Sequence, residues 1–524
     1  MMKNRSFAAG IALLILMAFS AVSCSKDDPV SKFPEDRPYF KSFGFYKEDN
    51  STLTGDVKID MADYTAASNV IDVFEPRMNT SALVARFDGK FVSVTVGGKE
   101  QVSKETRNDF NESVVYTLTD ENGATTQYEF HVKGYNGLPI VSILTEGYQA
   151  VSSKEDYVPC TVEITNDPAN GKVSWPAQIR GRGNATWNYQ KKPYKLKLDA
   201  KQPVFGFPSN KNWVLLADYC DKSFLRTAYM AEVSNAVGMD YTIKYQHIDF
   251  KLNKDPKGTY ILTEQVKDGK NRVNVGDDGF IIEDDNYYTG ESLWFTTERC
   301  GFNYTFKYPD ADDGEIVKGD DNFQFITEFM KNVEDALVKI PEDCETYRQY
   351  IDINSFAKWY IATEVTGNWE PNLYYVLASR TDKLKFFPCW DAEWSLGLAC
   401  KGNSANPNGW WGRPHESPYD IDIWGGDWNG NKYFRYLFQD PAFVEEVRTE
   451  WKAFKEMVPA VKTRIRNVAE SIKYSQKDNF DRWEILGSYL AVSLVRFNTW
   501  EEEVAYANTF FDNKVKWMDE KYGK

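Results

Sequence analysis

The sequence predicts an α+β protein in which a small N-terminal β-sandwich module precedes a larger unit, with a β-rich lobe first and a helical lobe second. Apolar and polar residues alternate through 38–137, and short alternating runs continue from 139 to about 310. From about 315 to 524 the apolar residues recur instead at helical spacing. A chain of 524 residues that is 42% hydrophobic is long enough for two or three domains with their own cores.

The first 23 residues have the pattern of a secretory signal peptide, which is removed from the mature protein. Lys3 and Arg5 precede an apolar stretch, 11–19, that is too short to cross a bilayer. Small residues directly before Cys24 resemble a bacterial lipobox, so we expect Cys24 to be lipidated and the polar residues 24–37 to form a tether. The acidic start of this tether resembles that of surface-displayed lipoproteins. We therefore expect a surface-exposed outer-membrane lipoprotein of the cell envelope, held by its lipid alone; the alternative is an ordinary signal peptide with an incidental cysteine.

Charge and histidine content argue against several function classes. The net charge is −15, and removal of residues 1–23, which carry two basic residues and no acidic one, gives −15 − 2 = −17. A protein this acidic is a poor partner for nucleic acid. Its three histidines argue against a Ser-His-Asp triad or a multi-histidine zinc site. Apart from Cys24, six scattered cysteines show no metal-binding or disulfide spacing, and we expect most of them to be buried thiols.

Local signals predict the main elements in order. Alternating runs on both sides of Asn122-Gly123 predict a β-hairpin, and the stretch 38–137 resembles the immunoglobulin-like modules that serve as spacers in surface lipoproteins. Asp221 is predicted to cap a helix that runs from Ser223 to Val237. In the helical lobe, Asp440-Pro441 predicts an N-cap followed by proline at the first helical position.

A pair of carboxylates, Asp391 and Glu393, lies between the aromatic residues Trp390 and Trp394. If this segment is a strand, the two side chains point to the same face and raise each other's pKa unless a cation lies between them. Such a pair either binds a divalent metal through hard oxygen ligands or takes part in acid/base chemistry. The alternative is a solvated strand edge whose carboxylates face water.

A basic, glycine-containing turn is followed by a lysine-rich strand. Arg182 and Asn184 lie in the turn, where glycines permit a close backbone approach to a ligand. Lys195 and Lys197 share one face of the strand, and apolar residues take the other face. This arrangement is suitable for triphosphate binding, although a lysine-rich strand is also typical of a solvated sheet edge.

Four segments taken together resemble the spore coat protein H (CotH) kinase family, which has an atypical, bilobal, protein-kinase-like fold. In chain order they are 182–187 with 192–198, 213–219 with 221 and 225–226, 258–265, and 390–397. The resemblance covers roughly 139–520, so the CotH-like domain is expected over 139–524. Its β-rich lobe would occupy about 139–310 and its helical lobe about 315–524.

The resemblance implies an atypical kinase that binds ATP and Mg²⁺ and transfers the γ-phosphoryl group to a protein hydroxyl. Lys195, or Lys197 two residues on, would neutralise the nucleotide phosphates, with Arg182 and Asn184 contributing from the turn. Glu264 would hold that lysine by an ion pair, with Glu232 as a second candidate.

For the metal, the resemblance implies that Asp391 holds Mg²⁺ with help from Asn372. Glu393 stands where the family usually has a second Asp, which moves the bound ion because glutamate is longer. The catalytic-base position is Asn368 or Glu370, depending on the alignment. An asparagine cannot accept the hydroxyl proton whereas Glu370 can, so weakened activity and none are both compatible with the sequence.

Two alternatives remain open from the sequence. A catalytically degenerate lipoprotein would bind a surface glycan or protein through the Trp/Gly/Asn-rich stretch 402–431, with Trp410, Trp411, Trp424 and Trp428 as stacking residues. A glycosidase would use Asp391 and Glu370 as its two carboxylates, but nothing beyond those carboxylates favours it.

Overall fold

The computed structural model describes residues 33–51, 53, 56–76, 80–135, 138–368, 371–399, 405–409, 432–491 and 493–523. The chain divides into two compact units, Met1–Tyr135 and Asn136–Lys524. The predicted signal segment, Cys24, Glu370 and the four tryptophans of the 402–431 stretch lie outside the described residues. Within those residues, no helix is both long enough and apolar enough to cross a membrane.

The described part of the first unit contains two β-sheets around one apolar core. One sheet has the order β2-β1-β4-β7, and the other has the order β3-β9-β8-β5-β6. Phe43 on β1 stacks on Phe130 on β9 with ring centroids 4.0 Å apart, so aromatic side chains from both sheets fill the space between them. The strands are β1 (Tyr39–Phe45), β2 (Val57–Ile59), β3 (Ser68–Pro76), β4 (Leu83–Lys90), β5 (Ser93–Val96), β6 (Lys99–Glu100), β7 (Arg107–Asn108), β8 (Val114–Thr119) and β9 (Thr125–Tyr135).

The hairpin predicted around Asn122-Gly123 is confirmed. Strands β8 and β9 pair antiparallel from Val114–Phe130 to Thr119–Thr125. Gly123 has φ +79°, a left-handed conformation that glycine adopts without a steric penalty. Asp120 Oδ1 accepts hydrogen bonds from the amides of Asn122 at 2.8 Å and Ala124 at 2.9 Å, which closes the turn.

The second unit begins with a closed β-barrel of order β10-β11-β12-β13-β14-β16-β15, in which β15 returns parallel to β10. Leu196, Trp213 and Leu262 are among the side chains that fill its interior. Because side chains alternate along a strand, Lys195 and Lys197 lie on the outer face of the barrel. The strands are β10 (Ile140–Thr145), β11 (Val158–Asp167), β12 (Gly171–Gly181), β13 (Tyr194–Gln202), β14 (Asn210–Leu216), β15 (Tyr245–Leu252) and β16 (Asp255–Glu264).

A second, five-stranded antiparallel sheet follows the barrel in the chain, with the order β18-β19-β17-β20-β21. Its last two strands come after two helices, so this sheet extends across the boundary that the sequence places near residue 310. The strands are β17 (Phe280–Asp284), β18 (Trp294–Thr296), β19 (Asn303–Tyr308), β20 (Leu373–Leu377) and β21 (Lys385–Phe386).

Helices supply most of the remaining regular structure among the described residues of the second unit. They are α1 (Arg226–Ala236), α2 (Asp321–Leu337), α3 (Ile353–Thr366), α4 (Lys432–Leu437), α5 (Pro441–Ile472), α6 (Ser475–Arg482) and α7 (Trp500–Tyr522). The predicted cap of α5 is confirmed, because Asp440 Oδ1 accepts a hydrogen bond from Ala442 N at 2.9 Å and Pro441 opens the helix.

The predicted start of α1 is wrong by three residues. Phe224 has φ +59°, which no α-helix accommodates, and the helix begins only at Arg226. Asp221 is not the N-cap residue. Its side chain instead organises the turn before the helix, accepting hydrogen bonds from Ser223 N at 3.0 Å and Arg226 N at 2.8 Å.

Candidate functional site

A cavity of about 570 Å³ lies in the second unit, between the outer face of the barrel, the turn before α1, strands β17 and β20, and the loop 387–397. Six residues predicted from the sequence line it: Arg182, Asn184, Lys195, Asn372, Asp391 and Glu393. Its lining contains both cations and carboxylates. Three of the cations, Arg180, Arg182 and Lys195, are here called the basic group, and the acidic group contains Asp218, Glu283, Asp285, Asp391 and Glu393. Two further cations of the lining, Lys191 and Lys307, interact with members of the acidic group.

The basic group is an electrostatically strained set of cations. Arg180 on β12 lies directly opposite Lys195 on β13, a pairing of like charges that weakens a sheet. Burial, and then the charges of Arg180, Lys267 and Arg182, lower the pKa of Lys195 to about 8. A bound anion would relieve this repulsion, so the group is suited to phosphate.

Lys197 and Glu264 lie outside the cavity lining. Lys197 is exposed on the outer face of β13. Glu264 on β16 pairs with Trp213 on β14, and the Trp213 side chain points into the barrel. Lys195 on β13 pairs with Val214, the next residue of β14. Paired residues share a face and successive residues alternate, so Glu264 and Lys195 project to opposite faces.

The ion pair predicted between Glu264 and Lys195 is therefore replaced by another. Glu264 Oε1 lies 3.4 Å from Arg272 Nε, and Glu264 Oε2 accepts a hydrogen bond from the Tyr241 hydroxyl at 3.0 Å. The second candidate, Glu232, accepts a hydrogen bond from the Tyr245 hydroxyl at 2.9 Å and pairs with Arg464 at 3.2 Å. Both glutamates thus have structural partners away from the cavity.

The carboxylate pair lies on a loop, so the strand assumed for Asp391 and Glu393 is wrong. Strand β21 ends at Phe386, and Asp391 has φ +61°, a left-handed conformation. The two carboxylates nevertheless interact. Burial, and then the charges of Asp391 and Asp221, raise the pKa of Glu393 to about 7, although Glu393 Oε1 accepts a hydrogen bond from Cys220 N at 2.6 Å. Asp391 is exposed, but desolvation by the walls of the cavity, and then the charge of Glu283, raise the pKa of its carboxyl, against the charge of Arg182.

The two asparagines of the predicted catalytic segment donate hydrogen bonds to acidic residues of the site, Asn368 to a backbone oxygen and Asn372 to a carboxylate. Asn368 Nδ2 donates a hydrogen bond to the backbone oxygen of Asp391 at 2.8 Å, so this amide holds the metal-candidate loop in place. The Asn372 amide donates to the Glu283 carboxylate, which also pairs with Lys307 at 2.9 Å. Glu370, the alternative base, lies outside the described residues.

Several charged residues of the lining were missed by sequence reasoning: Lys191, Asp218, Glu283, Asp285 and Lys307. Asp218 lies inside one of the four segments that carry the resemblance, and this position was the available signal for it. Lys191 is buried, and its ammonium donates to the Thr259 carbonyl. Burial lowers the pKa of Lys191 to about 7, against the charges of Asp218 and Glu393.

The donor set fits a magnesium ion held together with a nucleotide. Among the described residues, no three His, Cys, Asp or Glu side chains are arranged as a complete metal site. Mg²⁺ does not need such a cage, because it is commonly held by one or two carboxylates, waters and substrate phosphate oxygens. Asp391, Glu393 and the amide oxygen of Asn372 are hard oxygen donors of that kind.

Comparison with models of protein families gives a match. A family model described as "CotH kinase protein" matches residues 179–518. This range contains every predicted site residue of the cavity and most of the second unit. A search of curated proteins found no match.

Proposed function

Because the chain belongs to the CotH kinase family, we propose that its cavity binds ATP with Mg²⁺ and that the protein transfers the γ-phosphoryl group to a protein hydroxyl at the cell envelope. The observation that carries the proposal is that one cavity is lined both by the cations Arg180, Arg182 and Lys195 and by the carboxylates of Asp391 and Glu393. A Mg²⁺-triphosphate complex has the complementary charge pattern, since its anionic oxygens and its metal ion need opposite partners.

In this proposal the cations bind the phosphates and Asp391 is the principal metal ligand. The metal, when bound, neutralises charge on the transferring phosphoryl group. Arg182 has a second role, because its charge acts on Asp391 and its guanidinium lies 6.0 Å from the centre of the Trp390 ring. It thereby connects the basic group to the loop that carries the carboxylates.

Asn368 has a positioning role in this proposal. Its amide donates to the Asp391 backbone oxygen and, as an amide, it cannot take a proton from the acceptor. Phosphoryl transfer depends mainly on positioning and electrostatics, so loss of one base weakens a kinase more readily than it abolishes transfer.

The same observation favours a second candidate, a degenerate member of the family that keeps the fold and binds a surface glycan or protein. An amide in place of a base would serve such a protein as well as it serves a slow kinase. Binding of Mg²⁺-nucleotide separates the two candidates, because only the kinase needs it.

Asp391→Asn tests the proposed metal ligand. We expect Mg²⁺-dependent nucleotide binding to disappear, because an amide replaces the anionic ligand, while the thermal midpoint changes by only a few degrees. The matched control is Asp199→Asn, an exposed aspartate on β13 outside the cavity lining, which should leave binding unchanged. Calorimetric titration of both variants measures this, and an Asp391→Asn chain that binds Mg²⁺-ATP as wild type does would contradict the assignment.

The remaining parts of the proposal concern location. Lipidation of Cys24 would anchor the protein at the outer membrane, and the first unit, as an immunoglobulin-like module, would separate the kinase-like unit from the membrane. The acceptor would then be a surface or envelope protein.

A further inference from the structure

Glu283 is a carboxylate buried in the wall of the cavity, and both of its oxygens have partners. It lies on β17, the middle strand of the second sheet, and is 5% exposed. Asn372 Nδ2 donates a hydrogen bond to Glu283 Oε1, and Lys307 Nζ lies 2.9 Å from Glu283 Oε2. Lys307 comes from β19 on one side of β17, and Asn372 directly precedes β20 on the other side. Glu283 therefore joins three segments of the chain at the wall of the cavity.

The register of the sheet and a backbone contact place Asn372 between Glu283 and the loop of the metal candidate. Glu283 pairs with Tyr374 on β20, and Asn372 stands two residues before Tyr374. Residues two apart along a strand point to the same face, and the hydrogen bond from Asn372 shows that its side chain meets Glu283 there. Asn372 N donates to the Trp390 backbone oxygen at 3.3 Å. Since Trp390 directly precedes Asp391, this bond holds Asn372 beside Asp391 in the cavity.

The chemistry of the contact with Glu283 fixes the orientation of the Asn372 amide. A carboxylate only accepts hydrogen bonds, so the side of the amide that faces Glu283 has to be its NH₂ group. The amide oxygen, Oδ1, is thereby the other branch, and within the part of the chain that the structure describes no hydrogen bond is donated to it. Both oxygens of Glu283, in contrast, are engaged by Asn372 and Lys307. The open oxygen donor of this group is therefore the amide of Asn372.

We propose that Glu283, held by Lys307, is a positioning residue that fixes the Asn372 amide with its oxygen available to the metal ion of the cavity. The inference rests on the proposed function, because Asn372 is a metal ligand only if the cavity binds Mg²⁺ with a nucleotide. Residues that hold a metal ligand by a hydrogen bond orient it for the ion, and their loss typically lowers metal affinity about 10- to 100-fold. Glu283 acts in this way without contacting the metal.

The alternative is a role confined to the sheet, in which Glu283 and Lys307 form a cross-strand ion pair and the bond to Asn372 is incidental. Asp285 offers a comparison, because it also lines the cavity and its Oδ2 lies 4.0 Å from Lys307 Nζ. It has no hydrogen bond with Asn372 among the described residues. Removal of either carboxylate takes one negative charge from the surroundings of Lys307, but only removal of Glu283 releases the amide.

The test measures binding of the Mg²⁺ complex of a non-hydrolysable ATP analogue to the mature chain by calorimetry. We expect Glu283→Gln to lower the affinity about tenfold or more, because the glutamine amide can also donate to Asn372 Oδ1 and no longer fixes its orientation. Asp285→Asn, the matched loss of charge, should lower it by less than about threefold, as expected for a partly screened charge without a role in orienting a ligand. Binding of the analogue in EDTA should be the same in wild type and both variants.

A double-mutant cycle shows whether Glu283 acts through Asn372. Asn372→Ala should lower the affinity for the Mg²⁺ complex about as much as Glu283→Gln does, and the double variant should bind as Asn372→Ala alone. A further loss in the double variant would overturn the inference, because Glu283 would then act directly on the metal or by its charge. Wild-type affinity in either single variant, or equal losses in Glu283→Gln and Asp285→Asn, would overturn it as well.

These results leave the proposed function intact, whereas a wild-type chain that does not bind the Mg²⁺ complex refutes the proposed function and this inference together. If Glu283→Gln does not fold, Glu283→Asp keeps the charge opposite Lys307 and draws the carboxylate back from Asn372 by one methylene group. A reduced affinity for the Mg²⁺ complex, with unchanged binding in EDTA, is then expected. Wild-type affinity in Glu283→Asp, or an equal loss with and without Mg²⁺, contradicts the inference.

Discussion

The buried pair between Asp221 and Arg226 should be a major stabilising contact of the second unit, and Asp221→Asn tests this. Both side chains are fully buried, and Arg226 also donates through Nε to the Ser395 backbone oxygen at 2.7 Å. Asparagine keeps the size of the side chain and one acceptor oxygen but removes the charge. The Arg226 guanidinium is then left without its bonded counter-charge.

Breaking a buried ion pair from one side costs about 3–5 kcal/mol. We expect the free energy of unfolding of the second unit to fall by about that amount. Urea denaturation followed by tryptophan fluorescence measures it selectively, because all 16 tryptophans lie between residues 136 and 524. The signal therefore reports the second unit alone, even if the two units unfold separately.

Asp218→Asn is the matched control, since it is the same substitution three residues away at another buried aspartate. It removes a charge whose Oδ2 has no hydrogen-bond partner among the described residues, so the free energy of unfolding should stay unchanged or rise. An Asp221→Asn chain within about 1 kcal/mol of wild type would refute the assignment of a structural role, given the cost expected for a broken buried pair. Equal losses in both variants would refute the distinction between the two aspartates.

Three further predictions concern the cavity and the anchor. Burial raises the pKa of Glu393 from 4.5 to about 7, so the stability that this side chain contributes is present below pH 4.5 and is lost as the pH rises to 7. In EDTA, the free energy of unfolding of Glu393→Gln should exceed that of wild type by about 1–3 kcal/mol at pH 8 and equal it near pH 4.5. Denaturation at both pH values measures this. Lys195→Met should weaken nucleotide binding about tenfold or more, because a phosphate contact is lost. Lys197→Met should leave the affinity unchanged, because Lys197 lies on the same strand face but is exposed and outside the cavity. Calorimetry measures both affinities, and equal effects would contradict the assignment. Cys24→Ser should release the protein into the soluble fraction on cell fractionation, and a variant that stays in the membrane would contradict lipidation.

Elements with strong local signals could be predicted from the sequence. The Asn122-Gly123 hairpin and the Asp440-Pro441 start of α5 are set by neighbours within a few residues, and both are confirmed. The start of α1 could not be predicted in this way. Asp221 has the local pattern of an N-cap. The conformation of the turn depends instead on its contacts with Arg226 and on the hydrogen bond from Arg226 Nε to the Ser395 backbone oxygen, which is far away in the sequence.

The sequence predicts which residue types line the cavity better than it predicts how these residues are arranged. Asp391 and Glu393 were found from their chemistry, but the conformation of their loop depends on the hydrogen bond from Asn368, 23 residues earlier. The partner of Glu264 depends on strand register, which decides the face to which a side chain points. The surroundings of Asp218 depend on the segment of Glu393, which a hydrogen bond from Cys220 N joins to the turn before α1 across 173 residues of sequence. A pattern within one segment contains no information about such contacts.

Calorimetric titration of the mature chain with ATP, in the presence and absence of Mg²⁺, tests the central claim most directly. The presence of both cations and carboxylates in the lining of one cavity predicts binding of ATP with Mg²⁺ at one site, and loss or marked weakening of that binding in EDTA. The Asp391→Asn chain, titrated alongside, should behave in Mg²⁺ as wild type does in EDTA. A wild-type chain that gives no heat of binding and no thermal shift with any nucleotide and divalent metal would contradict the account and favour the degenerate binding protein.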